Sequence, residues 1–138
     1  MTWQVYAVLG AFFAGLTAIL AKVGVQQVDS NLATAIRTVV IVFFAWGIVA
    51  AQGSYKVLPS IESRSLWFLA LSGVTTGLSW LFYFRALQMA PASRVAPIDK
   101  LSLVFTVLMA ALFLHEVVTL KIVLGVVLMV AGTLLLTR

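Results

Sequence analysis

The 138-residue sequence is too apolar to form a water-soluble globule. Hydrophobic residues make up 63% of it and charged residues only 9%, with a mean hydropathy of +1.14, whereas about a quarter of the residues in a soluble domain are charged. The net charge of +5 comes from Lys and Arg scattered between apolar runs, which is typical of membrane-flank anchors and not of a nucleic-acid-binding stripe. The sequence has no Cys and a single His, which argues against a transition-metal site. We therefore expect membrane lipid around most of the surface, with no cofactor, metal or nucleic-acid partner.

Five segments are long and apolar enough to cross a bilayer, because a hydrocarbon core of about 30 Å needs roughly 20 helical residues. The strict period-two alternation of an outer-membrane barrel is absent, and irregular backbone is costly in lipid, so we expect helices. The first apolar stretch is preceded by no basic region and exceeds a signal-peptide core, so we interpret it as the first span. The sequence thus predicts an all-α integral membrane protein, a single domain over residues 1–138, with spans at about 3–21, 32–51, 66–84, 95–114 and 120–137.

An odd number of spans places the two termini on opposite sides of the membrane. The cations flanking the spans are nearly balanced between the sides, so the positive-inside bias is weak. Adding Arg37 and Lys100 to the count favours a cytoplasmic location for the C-terminal side. The flanking cations are Lys56, Arg64 and Lys121 on the N-terminal side, and Lys22, Arg85, Arg94 and Arg138 on the C-terminal side.

Arg37 lies about one and a half turns inside the second predicted span. Ionisable side chains at such a depth are costly and usually face a bundle interior or an aqueous cavity. An Arg side chain is also long enough to extend to the interface and keep its charge in water. Both interpretations remain open from the sequence.

The stretch Ala-Pro-Ala-Ser at residues 90–93 predicts a turn between the third and fourth spans. Asp99 and Lys100 follow Pro97 near the start of the fourth predicted span. One interpretation is a capped helix start, because Pro is tolerated in the first turn and an acid there favours the positive end of the helix dipole. The other places Asp99 and Lys100 at the depth of Arg37, where the three line a polar vestibule with Arg85 and Arg94 at its rim. The excess positive charge of that vestibule suits anionic or zwitterionic solutes.

Ser79, Trp80 and Tyr83 lie near the same end of the third predicted span. Trp80 and Tyr83 are three residues apart and share a helix face. They form either part of the aromatic belt found at membrane interfaces or an aromatic wall of the vestibule.

Pairs of small residues suggest close approach of helices. Gly73 and Gly77 form a small-xxx-small motif, and Gly125 and Gly132, seven residues apart, lie on nearly one face. We expect these four residues to serve helix packing or dimer formation. The sequence has no nucleophile–base pair, phosphate-binding loop or paired carboxylates, and we expect no enzymatic activity.

The region around the fourth span resembles the EamA domain of the drug/metabolite transporter superfamily. The resemblance is carried by Arg85-Ala86-Leu87, the stretch Ala-Pro-Ala-Ser-Arg-Val-Ala-Pro-Ile-Asp-Lys-Leu-Ser at residues 90–102, Leu-Phe-Leu-His-Glu at 112–116, and the glycines of span five. Family members typically have ten spans made of two five-span repeats, so this chain resembles a single repeat, a half-size member. The resemblance implies a secondary transporter, often an exporter, whose cavity is lined largely by spans three and four. It gives functional weight to Trp80, Tyr83, Asp99 and Lys100.

A single five-span unit imitates a ten-span transporter if two copies pair in opposite orientations. The resemblance therefore implies an antiparallel homodimer, or pairing with a related five-span chain of fixed opposite orientation. The related small multidrug resistance family has a cation-binding acid in its first span, which this sequence lacks, although its dimer helix resembles the Gly125/Gly132 spacing.

We accordingly expect a dimeric, alternating-access exporter of a small metabolite, such as an amino acid or organic anion, in the bacterial inner membrane. Proton coupling through Asp99 is disfavoured, since nearby cations stabilise its ionised form. Two alternatives remain: a flippase subunit for an anionic lipid carrier, and a membrane scaffold without transport activity.

Overall fold

The computed structural model describes residues 2–137, and the described part of the chain contains helices and no strand. Five helical stretches in it are long and apolar enough to cross a membrane, as judged by length and composition. The prediction of an all-α protein with five membrane-spanning helices is confirmed. The helices are α1 (Trp3–Gly24), α2 (Ser30–Gln52), α3 (Ser63–Met89), α4 (Ala92–Asp99), α5 (Ser102–Phe113) and α6 (Leu120–Thr137), with α4 and α5 together forming the fourth span and a short 3₁₀ helix at Ser54–Ser60.

Helix α2 begins two residues earlier than the predicted boundary because Asp29 caps it. The Asp29 carboxylate accepts hydrogen bonds from the backbone N–H groups of Asn31 (2.9 Å) and Leu32 (3.1 Å), which would otherwise lack partners at the first turn. At the other end Gly53 adopts a left-handed conformation (φ 69°), which glycine enters without steric cost. These two residues set the limits of the second span.

The fourth span begins earlier than expected, and the interpretation of Pro97 and Asp99 as the first turn of its helix is wrong. Helix α4 begins at Ala92, directly after Pro91, so Asp99 is its last residue and Pro97 lies inside it. The small residues around Pro91 suggested a longer turn, but Ala92 and Ser93 are already helical. Asp99 therefore lies about two turns from the helix start, where the helix dipole of the first turn does not act on it.

The helical path tightens between α4 and α5. The backbone N–H groups of Lys100 and Leu101 bond to carbonyls three residues earlier, at 3.1 and 2.9 Å, and those of Leu103 and Val104 do the same at 3.0 and 2.9 Å. Pro97 supplies no N–H to the ladder, which is a common cause of such irregularities. Asp99 and Lys100 stand at this 3₁₀-like junction.

The chain divides into two compact units, one of residues 21–89 and the other of the remaining N-terminal and C-terminal parts. In the first unit α2 packs against α3, and the buried apolar residues are Val25, Phe84 and Leu87. These lie in the connection between α1 and α2 and near the end of α3, so the core of this unit is at one end of the helix pair.

In the second unit α4 packs against α6. Val95 is buried on α4 and Thr133 on α6. The Thr133 hydroxyl donates a 3.3 Å hydrogen bond to the carbonyl oxygen of Pro97, which joins the two helices beside the 3₁₀-like junction.

Most large apolar side chains of the described residues are exposed. Trp3 and Phe113 are each 77% exposed, and Phe43 and Phe82 are each 75% exposed. In water such a surface would cause aggregation, but the interior of a bilayer is as apolar as these side chains. The chain is therefore a multi-pass membrane protein whose helix faces are available to lipid or to another protein.

Candidate functional site

Arg37 stacks on an aromatic side chain of the neighbouring helix. Its guanidinium carbon lies 3.4 Å from the centroid of the Trp80 ring and 5.8 Å from that of Phe84. Arg37 is the eighth residue of α2, about 10 Å from the helix start at 1.5 Å per residue. A guanidinium held over an indole face is stabilised by the ring quadrupole, by about 2 kcal/mol where water is excluded.

The Trp80 ring is itself held in place by two neighbours on the same face of α3. Its centroid lies 5.4 Å from that of Tyr83 and 5.7 Å from that of Phe84, with interplanar angles of 80° and 65°. Edge-to-face contacts of this kind are the favoured geometry for aromatic pairs. Phe84 is only 3% exposed, and it was not among the residues selected from the sequence, although its spacing of four from Trp80 indicates a shared face.

The charge of Arg37 has no carboxylate partner within its own unit. Residues 21–89 include two acids, Asp29 and Glu62, and neither forms an ion pair with the guanidinium. Asp29 is instead engaged as the cap of α2. A lone cation inside a membrane span is costly, and an anionic ligand is the chemistry that would offset that cost.

A polar clamp closes the end of the α2–α3 pair, and sequence reasoning did not find it. The Gln88 amide donates to the carbonyl oxygens of Val28 (2.7 Å) and Val25 (3.2 Å). Its side-chain oxygen accepts a 3.1 Å hydrogen bond from Arg85. These bonds hold the connection between α1 and α2 on the last turns of α3, and thereby help to fix the register in which Arg37 meets Trp80.

Lys22, expected only as a flank anchor, contributes to the same end of the unit. Its ammonium group donates to the carbonyl oxygen of Leu87, one of the last carbonyls of α3, which have no partner within the helix. A cation at a helix C-terminus also favours the negative end of the dipole. The signal in the sequence was the position of Lys22 at the end of its own span, but the identity of its partner depends on tertiary packing.

Asp99 and Lys100 pair with each other in the other unit. The Lys100 ammonium lies 3.3 Å from a carboxylate oxygen of Asp99, and the two side chains are 59% and 38% exposed. Exposed pairs of this kind are worth little. The grouping of this pair with Arg37 in one vestibule remains a prediction, as does the role of Ser79, which is exposed on α3. No group of three or more His, Asp or Glu within residues 2–137 is arranged to hold a metal ion.

The glycines predicted for packing have open space around them. A Cβ atom added at Gly73, Gly77, Gly125 or Gly132 would meet no heavy atom within 4 Å among the described residues, apart from the glycine's own immediate surroundings. Within each unit, the described residues therefore leave space for a side chain at all four positions. Their use in contacts with a second chain remains a prediction.

The sequence is similar to known proteins along its length. The EamA-like transporter family matches residues 1–138. A protein of Sinorhizobium sp. named "Uncharacterized transporter in cobO 3′region" is 53% identical over 135 residues, which cover 98% of this chain and 96% of the relative. An uncharacterized protein of Methanocaldococcus jannaschii is 31% identical over 83 residues, covering 60% of this chain and 61% of the relative. No solved structure matches.

Proposed function

The chain belongs to the EamA-like transporter family, and we propose that it is a secondary transporter that exports a small metabolite such as an amino acid or organic anion. The family supports transport as the activity. The choice of solute rests on Arg37. Its guanidinium is held within the second span on the Trp80 ring and has no carboxylate partner in its unit. A fixed cation at that depth suits a solute that brings a negative charge.

Two copies in opposite orientations form the proposed working unit. Substrate sites of many secondary transporters lie at mid-membrane between inverted repeats. An odd span count inverts the second repeat when two units are fused in one chain, so two separate copies must insert in opposite orientations to form the same arrangement. The exposed apolar helix faces and the open glycines support pairing, and the nearly balanced flanking cations support insertion in both orientations. Alternating access then exposes the site of each copy to the two sides in turn. A related five-span chain is the other possible partner.

We place the protein in the inner membrane of a bacterium. Helical spans of about 20 apolar residues are the form in which proteins cross such a membrane, whereas outer-membrane proteins are closed barrels. The Sinorhizobium relative, matched over nearly its whole length, supports a bacterial setting.

Uptake into vesicles reconstituted with the purified protein tests the function. Amino acids, organic anions and labelled lipids are supplied to the wild type and to the Arg37→Gln variant. The matched control is Arg64→Gln, since Arg64 also lies over a ring, 6.0 Å from the centroid of Phe68, but near the start of α3. We expect saturable uptake of one class of anion or zwitterion, reduced at least tenfold by Arg37→Gln and unchanged by Arg64→Gln.

Other results of this screen would contradict the proposal. Movement of labelled lipid in place of solutes would indicate a lipid carrier, and normal uptake by Arg37→Gln would remove Arg37 from the pathway. A correctly folded protein that moves no solute or lipid would indicate a scaffold.

Cysteine labelling from each membrane side tests the orientation. Because the sequence contains no Cys, single replacements such as Gln26→Cys and Ser54→Cys can be labelled without background. These residues lie in successive connections, before α2 and after it. We expect each to be labelled from both sides, whereas strictly one-sided labelling would rule out the antiparallel homodimer and point to a partner of fixed opposite orientation.

A further inference from the structure

We infer that Trp80 positions the Arg37 guanidinium as a rigid fork for a single carboxylate, so that the site selects organic monocarboxylates over dianions. This inference rests on the proposed function, because it specifies which anion the transporter recognises. It assigns Trp80 the role of a positioning residue and Arg37 that of the group that contacts the solute.

The stacking geometry leaves the donors of the guanidinium at its edge. The guanidinium carbon of Arg37 lies 3.4 Å from the centroid of the Trp80 ring. This is the spacing of two planar groups stacked face to face, so the ring covers one face of the guanidinium. The five N–H donors of a guanidinium lie in its plane and match a carboxylate bidentately. Within residues 21–89 the guanidinium lies over the rings of Trp80 and Phe84 and pairs with no carboxylate. The edge therefore remains for a ligand.

The Trp80 ring is held in place before any ligand binds. Trp80 is flanked edge-on by Tyr83 and by the buried Phe84, which restricts the motion of its ring. An Arg side chain loses conformational entropy when it is immobilised, because it has many rotamers. Because stacking on the Trp80 ring already restricts the Arg37 side chain in the free protein, much of this entropy is lost before the ligand binds. The carboxylate therefore binds a group that is already oriented.

Within residues 21–89 the fork itself offers one positive charge. The other cations near this end of the unit direct donors to protein oxygens, Lys22 to the carbonyl of Leu87 and Arg85 to the side-chain oxygen of Gln88. Arg85 is also five residues beyond Trp80 on α3, about 7.5 Å along the axis. A phosphate ester carries about −1.5 to −2 at pH 7, so it would retain uncompensated charge in a medium of low dielectric constant. A carboxylate brings a single charge that Arg37 neutralises.

Residues 21–89 also offer no partner for a ligand ammonium group beside Arg37. Asp29 is engaged at the start of α2, and Glu62 precedes the first residue of α3, at the opposite end of that helix from Trp80. The aromatic side chains around Arg37 favour an uncharged, apolar body on the solute. An organic acid fits these surroundings better than an amino acid does.

Ligand binding by the purified full-length protein in detergent tests the inference. Saturation-transfer NMR measures the affinity for butyrate and for butylphosphonate, its dianionic counterpart of similar size, both at pH 9.5, well above the second pKa of an alkylphosphonate. We expect butyrate to bind at least tenfold more tightly than butylphosphonate. Arg37→Lys, which keeps the charge but loses the planar fork, should weaken butyrate binding at least tenfold, and the matched Arg64→Lys variant should not change it.

The role of Trp80 is tested by a pair of substitutions. Trp80→Leu should weaken butyrate binding at least tenfold and remove most of the preference over butylphosphonate, because the guanidinium loses its platform. Trp80→Phe keeps a ring and should restore the preference to within about threefold of the wild type, as expected for weaker stacking on Phe than on Trp. Circular dichroism shows whether each variant retains its helices.

The results that would overturn this inference can be distinguished from those that would contradict transport. Equal binding of the two probes, unchanged selectivity in folded Trp80→Leu, or no binding of butyrate would overturn the inference. In any of these cases, Arg37-dependent uptake of another anion or of an amino acid into vesicles would leave the proposed transport function standing. Butyrate binding in detergent without any uptake in vesicles would support the inference and contradict transport.

Discussion

The hydroxyl of Thr133 on α6 donates a 3.3 Å hydrogen bond to the carbonyl oxygen of Pro97 on α4. In a regular α-helix that carbonyl would accept from the N–H of Leu101, which bonds instead to Ile98. The Pro97 carbonyl accepts from Lys100 at 3.1 Å and has a second lone pair for the buried threonine. One polar side chain thus joins two helices at the point where the fourth span departs from α-helical geometry.

Replacing Thr133 by Val keeps the shape of the side chain and removes the hydroxyl. We expect the free energy of unfolding in mixed micelles to fall by about 0.6–1.7 kcal/mol, between the average and the largest value measured for hydrogen bonds between membrane helices. The control is Thr137→Val, because the Thr137 hydroxyl donates within its own helix, to the backbone carbonyl oxygen of Thr133 at 2.9 Å. A loss of stability as large in Thr137→Val as in Thr133→Val would contradict the interhelical role.

Gln88→Leu should destabilise the α2–α3 unit. The substitution leaves the carbonyls of Val25 and Val28 without the amide that bonds to them, at about 1–3 kcal/mol for a buried group left unsatisfied. Chemical unfolding followed by circular dichroism measures the loss. Gln27→Leu, at an exposed position of the same connection, is the control, and equal effects of the two substitutions would argue against the clamp.

Asp29→Ala should lower stability by about 0.5–2 kcal/mol, the usual cost of removing an N-cap side chain. The two N–H groups that bond to the Asp29 carboxylate lose their partner in this variant. Asp29→Asn should remain close to the wild type, because Asn is an equally good cap. If Asn were as damaging as Ala in thermal unfolding, the negative charge and not the cap would be the stabilising feature.

The sequence was sufficient to predict the membrane class, the helical fold and the number of spans. Each follows from the roughly 20 apolar residues that a helix needs to cross lipid, and this requirement is local. The start of the fourth span was predicted too late, because Pro91 and its small neighbours resemble a turn. Pro is also common just before and at the start of a helix, and here the helix begins directly after it.

The contacts that build the candidate site depend on tertiary packing. Arg37 and Trp80 were both selected from the sequence, but their stacking depends on the register of α2 against α3. That register is fixed in part by Gln88, whose partner Val28 lies 60 residues away in the chain. A glutamine at the end of an apolar run reads as an interfacial residue, so no local pattern indicated the clamp.

The open glycines of α6 provide a test of the dimer that leaves the single chain intact. Gly125→Leu with Gly132→Leu should reduce cross-linked dimer in membranes, because bulky side chains prevent the close approach that small residues allow. The isolated chain should keep its helix content, since an added Cβ at either position meets no heavy atom within 4 Å among the described residues and Leu has a higher helix propensity than Gly. Gly47→Leu on α2, with equally open surroundings, is the matched control. Unchanged cross-linking in the α6 double variant, or an equal loss in Gly47→Leu, would exclude this face of α6 as the place where two copies meet.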